Sequence, residues 1–394
     1  MTTAGREFLQ QATHAELIEP AIPAVSPGRA NASPDAIIVP AARPAENLGS
    51  AIKLAVDADC HLVVLCSRGA RPLEVNRFLR QNSVDDDQAT VITVKAADYL
   101  HDLFRFQTTG WIQGVPGYQN HSPREHDLSL KRNIGLVLAR LLGWQRIFFM
   151  DDDIRDVDAL ALSSLVSLLG PHRTAGMAVR EFPDNSVVCH ARRDVKRDQD
   201  VFVSGSVLAV DCTAPFGFFP DIYNEDWLFF YHDAAEKRLA NPGFNVRQDQ
   251  YDPFADPQRA VRQEFGDIIA EGIYSLLHSG HGLEYATKAY WSQFLDDRAQ
   301  IISDIIARLD YAPGEKKDEM CNAIKFARRT LAGIKPGMCA TYLEIWQGDL
   351  ERWEKRRDGL QRADNVADAL RMLGLSSPRF PSMLATAGDI GCVR

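Results

Sequence analysis

Four short apolar runs constrain this chain most: Ala36–Pro40 (AIIVP), His61–Cys66 (HLVVLC), Thr90–Lys95 (TVITVK) and Arg146–Met150 (RIFFM). Runs of this length suit strands buried on both faces and are short for a buried helix. Between them, residues 45–57, 71–81 and 128–143 carry apolar residues at helical spacing, and Gly143 ends the last. Strands alternating with helices predict an α/β fold with a mainly parallel sheet covered on both faces.

Beyond Asp153 the pattern loosens. Residues 176–190 and 201–211 read as strands, and 225–239 as a helix capped by Asn224. From about residue 258 the chain reads as helix near 258–277, 284–309, 315–332, 338–358 and 363–373. Pro313, Gly314, Lys335-Pro336 and Gly359 punctuate these segments. The organisation expected is a leader over 1–34, a catalytic α/β unit over 35–283 and a helical C-terminal appendage over 284–394. The leader is rich in Ala, Pro and Ser and reads as disordered, with one short helix around 5–18.

Composition narrows the function classes. The net charge of -9 argues against a nucleic-acid partner but not against an anionic substrate, because local charge dominates inside a cleft. Seven scattered cysteines without a CxxC pair suggest neither a disulfide framework nor a zinc site. Glu7, Glu16 and Glu19 interrupt any apolar signal core, and no stretch approaches the roughly 18–20 apolar residues of a membrane span. A cytoplasmic enzyme is the expectation. The tryptophans Trp291, Trp346 and Trp353 read as core, and the run Arg352, Lys355, Arg356, Arg357 as a solvated face.

Asp151-Asp152-Asp153 directly follows the RIFFM strand. Ligands of open α/β sheets bind outside the carboxyl ends of the strands. Side chains alternate along a strand, so Asp151 and Asp153 share a face and Asp152 points the other way. Two carboxylates on one face suit Mg²⁺ or Mn²⁺, which take oxygen ligands and bridge to phosphates. A solvated acidic turn capping the next helix is the competing reading.

With the triplet in place, the sequence resembles the GT-A glycosyltransferases, particularly the family-2-like group. Four features in order carry the resemblance: Lys131-Arg132-Asn133-Ile134-Gly135 before RIFFMDDD, Ser204-Gly205-Ser206 within VFVSGSVLAVD, Tyr223-Asn224-Glu225-Asp226-Trp227, and Leu277-His278-Ser279-Gly280-His281-Gly282. The resemblance implies a Rossmann-like nucleotide-binding sheet and a nucleotide-sugar donor. Asp151 would lie near the nucleotide and the metal, Asp153 would bind the Mn²⁺ or Mg²⁺, and Asp152 would adjoin the nucleotide. It further implies that Lys131 and Arg132 lie near the donor, that Ser204 and Gly205 line the sugar, and that Asp226 or Glu225 is the base of an inverting transfer. His278, preferred over His281, would complete the metal site. Pro40, Arg43 and Arg68, at the first two strand ends, are candidate nucleotide or diphosphate contacts.

The usual Asp-Asp-Gly-Ser turn after the second strand is replaced here by Cys66-Ser67-Arg68-Gly69, so the base is open. No Gln-x-x-Arg-Trp segment marks a processive synthase, which favours single addition. A sugar-1-phosphate nucleotidyltransferase would need a Gly-rich loop after the first strand, where VPAARPAENLG offers only Gly49. A non-catalytic sugar-nucleotide-binding scaffold is the remaining alternative. The acceptor is unspecified.

Overall fold

The computed structural model describes residues 17–20, 32–95, 101–119, 127–179, 182, 186–197 and 203–379. The strands are β1 (Glu19–Pro20), β2 (Ala36–Ala41), β3 (His61–Cys66), β4 (Ala89–Thr93), β5 (Arg146–Met150), β6 (Ile154–Arg155), β7 (Thr174–Gly176), β8 (Ala178–Val179), β9 (Val207–Asp211), β10 (Leu239–Asn241) and β11 (Asn245–Gln248). The helices are α1 (Gly49–Asp57), α2 (Pro72–Gln81), α3 (Gln107–Trp111), α4 (Leu128–Leu142), α5 (Ala159–Ser167), α6 (Val187–Asp194), α7 (Glu225–Ala235), α8 (Pro257–His278), α9 (Lys288–Ala307), α10 (Lys317–Gly333), α11 (Pro336–Asp358) and α12 (Val366–Met372).

The main sheet has eight strands in the order β1-β10-β7-β9-β5-β2-β3-β4. All adjacent pairs run parallel except those of β9, which is antiparallel to both β5 and β7. The expected mainly parallel sheet is therefore present. Its four predicted strands form one block, β5-β2-β3-β4. Alternate residues feed two cores: Ala36 and Ile38 join one face with α4, while Ile37, Val39 and Ala41 join the other with α1 and α2. A second sheet, β6-β11-β8, begins directly after the acidic triplet.

Three expectations are corrected. Residues 176–190 do not form one strand: β7 and β8 belong to different sheets, and the Val187-Val188-Cys189 run opens helix α6. Ser186 caps that helix, accepting from the Cys189 amide at 3.2 Å, and Val187, Val188 and Ala191 are buried in the helical core. Tertiary packing here overrides β-branched propensity. Second, Ser204, Gly205 and Ser206 precede β9 in a turn rather than lying within a strand. Third, the segment 225–239 splits into α7 and β10. Of the N-terminal 34 residues, Glu19–Pro20 pairs in parallel with β10, and the helix expected at 5–18 lies almost wholly outside the described residues.

The C-terminal helices share the core of the α/β unit. Trp291, Trp346 and Trp353 are fully buried, in one cluster with Phe149 and Phe219. A buried Trp removes roughly 150–250 Å² from water, about 4–6 kcal/mol of transfer free energy before entropy. The basic run is not simply a solvated face: Arg357 donates to the Phe216 carbonyl at 2.8 Å and Arg356 to that of Asp102. Buried Asp349 accepts from the amides of Gln107 and Thr108, so α11 orders the start of α3. Among the described residues, no helix is long and apolar enough to cross a membrane.

Candidate functional site

The carboxyl ends of β2, β3 and β5 lie side by side, because β2 pairs in parallel with both neighbours. Their loops are tied together. The Ser67 amide donates to Ala41 at 3.2 Å and the Gly69 amide to Ala42 at 3.0 Å. Arg68 between them has φ +49°, a backbone region costly for a side chain of this size. Helix α4 runs under this edge and delivers Lys131 and Arg132, both buried. The Lys131 ammonium donates to the Ala41 carbonyl (2.8 Å) and Ser67 hydroxyl (2.6 Å) and lies 3.1 Å from Asp127. Burial lowers its pKa, against the pull of Asp127. Pro40 is buried within β2, paired with Leu65, and Arg68 lies 3.9 Å from Asp127.

Strand alternation does not carry into the triplet: β5 ends at Met150, Asp152 and Asp153 lie in a turn and share the Arg43 guanidinium, and Asp151 alone turns to Arg132, which corrects the expectation that Asp151 and Asp153 share a face. Asp152 faces the β2 end, accepting from the amides of Ala42 (2.7 Å) and Arg43 (2.9 Å) and from the Arg43 guanidinium. It holds the loop after β2 in place. Asp153 accepts from Arg43 at 2.8 Å and from Gln248 at 3.1 Å. Asp151, anchored by its amide to the Ser206 carbonyl, accepts from Arg132 Nη2 at 3.1 Å through both oxygens.

Arg132 then reaches a different part of the chain. Its Nη1 lies 2.5 Å from Glu225 in the first turn of α7. The next residue, Asp226, accepts from the Gly205 amide at 2.7 Å and the Trp227 amide at 2.9 Å. A Cβ on Gly205 would sit 2.8 Å from Arg132 Nη1 and 2.9 Å from the Asp226 Cβ, so this position has no room for a side chain. Asn133 clamps the Phe219 backbone reciprocally, both bonds at 2.8 Å, and the Phe219 ring lies under Arg132. One buried guanidinium thus joins the triplet, the Gly205 turn and the acidic helix start.

Burial controls the charges here. It pushes Asp151 up to about 7 against the opposing pull of Arg132, with Asp153 and Asp152 adding repulsion. It pushes Glu225 up to about 8, again against Arg132 and with Asp226 adding repulsion. Arg132 is itself raised: burial lowers it, but Asp151, Glu225 and Asp226 outweigh that. Among the described residues, four buried polar atoms at the site have no hydrogen-bond partner: Asp127 Oδ1, Arg132 Nε, Ser206 Oγ and Gln248 Oε1. Native proteins leave few such atoms.

Of the residues marked in the sequence, Arg43, Lys131, Arg132, Asp151, Asp152, Asp153, Gly205, Glu225 and Asp226 are gathered by this network. Ser204 caps the turn, accepting from Ser206 at 3.1 Å. His278 is the last residue of α8, one turn past Tyr274, whose hydroxyl donates to the Trp227 carbonyl. His278 does not join Asp151 and Asp153 in a group of closely spaced ligand atoms. Among the described residues, the group with such spacing is Cys189, Asp267 and Glu271. There Asp267 is committed to Arg298 at 2.6 Å and Ser186 at 2.7 Å. Asn224 does not cap α7 with its side chain, correcting that expectation, because its φ of +61° lies outside the extended region a cap requires.

Sequence reasoning passed over Gln248 and Asp127, and gave Asn133 no role beyond its place in the Lys131–Gly135 run. Gln248 left one signal: in NVRQ, Val246 and Gln248 occupy the same buried face of an alternating strand, and a polar residue there needs a partner. A cleft of about 630 Å³ between α2, β4 and Ser377–Arg379 contains none of these residues.

No protein-family model matches the chain, and no curated protein matches it in sequence. Among solved structures it is similar to a mannosyltransferase, PcManGT, from Pyrobaculum calidifontis, in complex with GDP-Man and Mn²⁺. That similarity has 13% identity and a TM-score of 0.37, covering 90% of this chain and 93% of that one. It is also similar to the mannosyltransferase Ktr4p from S. cerevisiae in complex with GDP, at 8% identity and a TM-score of 0.28, covering 53% and 66% respectively. Likenesses this distant carry no argument about the site.

Proposed function

We propose that this chain is a glycosyltransferase that takes a sugar from a nucleotide-sugar donor at the carboxyl edge of β2, β3 and β5 and adds it once to an acceptor hydroxyl. The observation that carries the reading is Arg132, which joins Asp151 to Glu225 and packs against Gly205. A metal-and-phosphate edge and an acidic helix start face one another there, as transfer between two substrates requires.

The residues fit a divalent cation. Carboxylate oxygens are the hard donors that Mg²⁺ and Mn²⁺ take. The half-exposed Arg43 already bridges Asp152 and Asp153 as a cation, and Gln248 Oε1 beside Asp153 lacks a partner. Asp151 and Asp153 would hold the ion, which would neutralise the diphosphate as the glycosidic bond breaks. His278 falls outside this ligand set. Arg43 and Lys131 would meet phosphate oxygens, and Arg132 would oppose the burial that raises Asp151 and Glu225. Asp226 is the proposed base of an inverting transfer. It would accept the proton of the acceptor hydroxyl as that oxygen attacks the anomeric carbon and the bond to the diphosphate breaks. Asp226 suits this better than Glu225, which is buried and paired to Arg132.

The test is calorimetric titration with a panel of UDP-, GDP- and TDP-sugars in the presence of Mn²⁺, followed by transfer assays. One donor should bind, and Asp153→Ala should abolish metal-stimulated turnover while the melting curve stays cooperative. Absence of binding to every donor, or full activity of Asp153→Ala in excess chelator, overturns the proposal.

A further inference from the structure

A second buried arginine stands behind the acidic helix start. Arg298 on α9 is 5% exposed and pairs with Glu264 through two bonds, at 3.0 and 3.1 Å, and with Asp267 at 2.6 Å. Both acids lie on α8 and are 1% and 2% exposed. Asp267 also accepts from Ser186, the cap of α6, and from the side-chain amide of Asn224 at 3.2 Å. Asn224 directly precedes Glu225 and Asp226.

Two further contacts fix the same backbone. A Cβ on Gly266 would lie 2.2 Å from the Tyr223 carbonyl oxygen, so only glycine lets α8 approach residue 223 this closely. The Tyr223 amide donates to the hydroxyl of buried Tyr118 at 3.2 Å. Asn224 itself holds φ +61° and ψ +37°. Glycine meets that backbone demand at least as well. Asn adds an amide donor, and that donor goes to Asp267.

We propose that Asn224, Asp267 and Arg298 form a positioning device for the reaction. The device fixes the entry of α7, so that Glu225 meets Arg132 and Asp226 meets the Gly205 amide. The C-terminal helices thereby act on the chemistry without touching substrate. The kinetic arm of the test rests on the glycosyltransferase reading; the exchange arm does not.

Hydrogen exchange of the full chain is measured for Asn224→Asp and for the double substitution Asn224→Asp, Asp267→Asn. Asp, like Asn, tolerates a left-handed backbone. The single substitution sets two carboxylates against each other, and the double restores one donor and one acceptor across the contact. The expected result is at least tenfold faster exchange of the Gly205 amide in the single variant, recovering in the double, with Leu62–Leu65 of β3 unchanged. In the transfer assay, kcat should fall about tenfold in the single variant with the donor KM within twofold. Unchanged exchange at Gly205, or acceleration that the double variant does not reverse, overturns the proposal whatever the enzyme does. If exchange changes as expected but no variant nor the parent chain transfers sugar, the positioning device stands and the transferase reading falls.

Discussion

Among the described residues, two of the buried arginines, Arg132 and Arg298, each hold two carboxylates, and they differ in what remains around them. Arg298 pairs with Glu264 and Asp267 in a setting where Ser186 and Asn224 take up the remaining capacity of Asp267. Arg132 pairs with Asp151 and Glu225, yet its own Nε and the nearby Ser206 Oγ and Gln248 Oε1 lack partners among the described residues. Beside it, Arg43 keeps 46% of its side chain exposed while neutralising Asp152 and Asp153. Similar charge inventories therefore serve two ends. Sealed between helices, the Arg298 cluster is scaffold; at the carboxyl edge of a parallel sheet, the Arg132 cluster keeps buried polar atoms without a partner among the described residues.

The largest expected effect tests the functional half of that contrast. Asp226→Asn should lower kcat by about 10²–10⁴-fold, the range for loss of a general base, while donor binding by calorimetry and the melting temperature hold. Loss of donor binding instead would assign Asp226 to the donor side. Next comes the scaffold. Arg298→Met leaves two buried carboxylates without their cation and should cost about 3–5 kcal/mol in urea unfolding. Arg132→Met should cost less, about 2 kcal/mol, because Asp151 and Glu225 lie at a more open edge and already titrate near neutrality. Equal costs would erase the distinction between the clusters.

The smallest effect concerns a third acid. Burial pushes Asp233 up to about 6, against the Arg173 guanidinium and the Thr174 hydroxyl. A raised carboxyl means that the folded chain holds its proton more tightly than the unfolded chain. Its contribution to stability is full below about pH 4 and is lost as pH rises through 6. Asp233→Asn should lose less stability than the parent between pH 4 and 6, read as a shallower pH slope in paired denaturation curves. Parallel curves would show that Asp233 does not carry that dependence.

Much of the sheet was legible because its strands are self-contained. AIIVP, HLVVLC and RIFFM are apolar on both faces, a pattern that only burial between two helical layers satisfies. The position of Asp151-Asp152-Asp153 was legible too, because it directly follows RIFFM, but strand period 2 did not assign its faces: the chain turns at Asp152, which staples the β2 loop and shares Arg43 with Asp153. The weaker predictions failed where local preference met distant packing. Val187-Val188 has β-branched residues but forms α6, because Ser186 caps it and its apolar face meets the helical core. Asn224 has a capping residue's chemistry but a left-handed backbone, and its side chain goes to Asp267 instead.

By itself, then, the sequence determined the four buried strands of the central block, where their carboxyl edge lies and that carboxylates crowd it, because periodicity and adjacency are local properties. Only the tertiary structure decided which cation meets which acid. Arg132 pairs with Asp151, 19 residues away, and with Glu225, 93 away, while Asp349 reaches back 241 residues to cap α3 at Thr108. Those pairings depend on where helices cross. The crossings are set by volumes such as the vacancy at Gly205 and Gly266 and the tryptophans that weld the C-terminal helices to the core. No local pattern encodes them, since an ion pair constrains distance in space and leaves separation along the chain free.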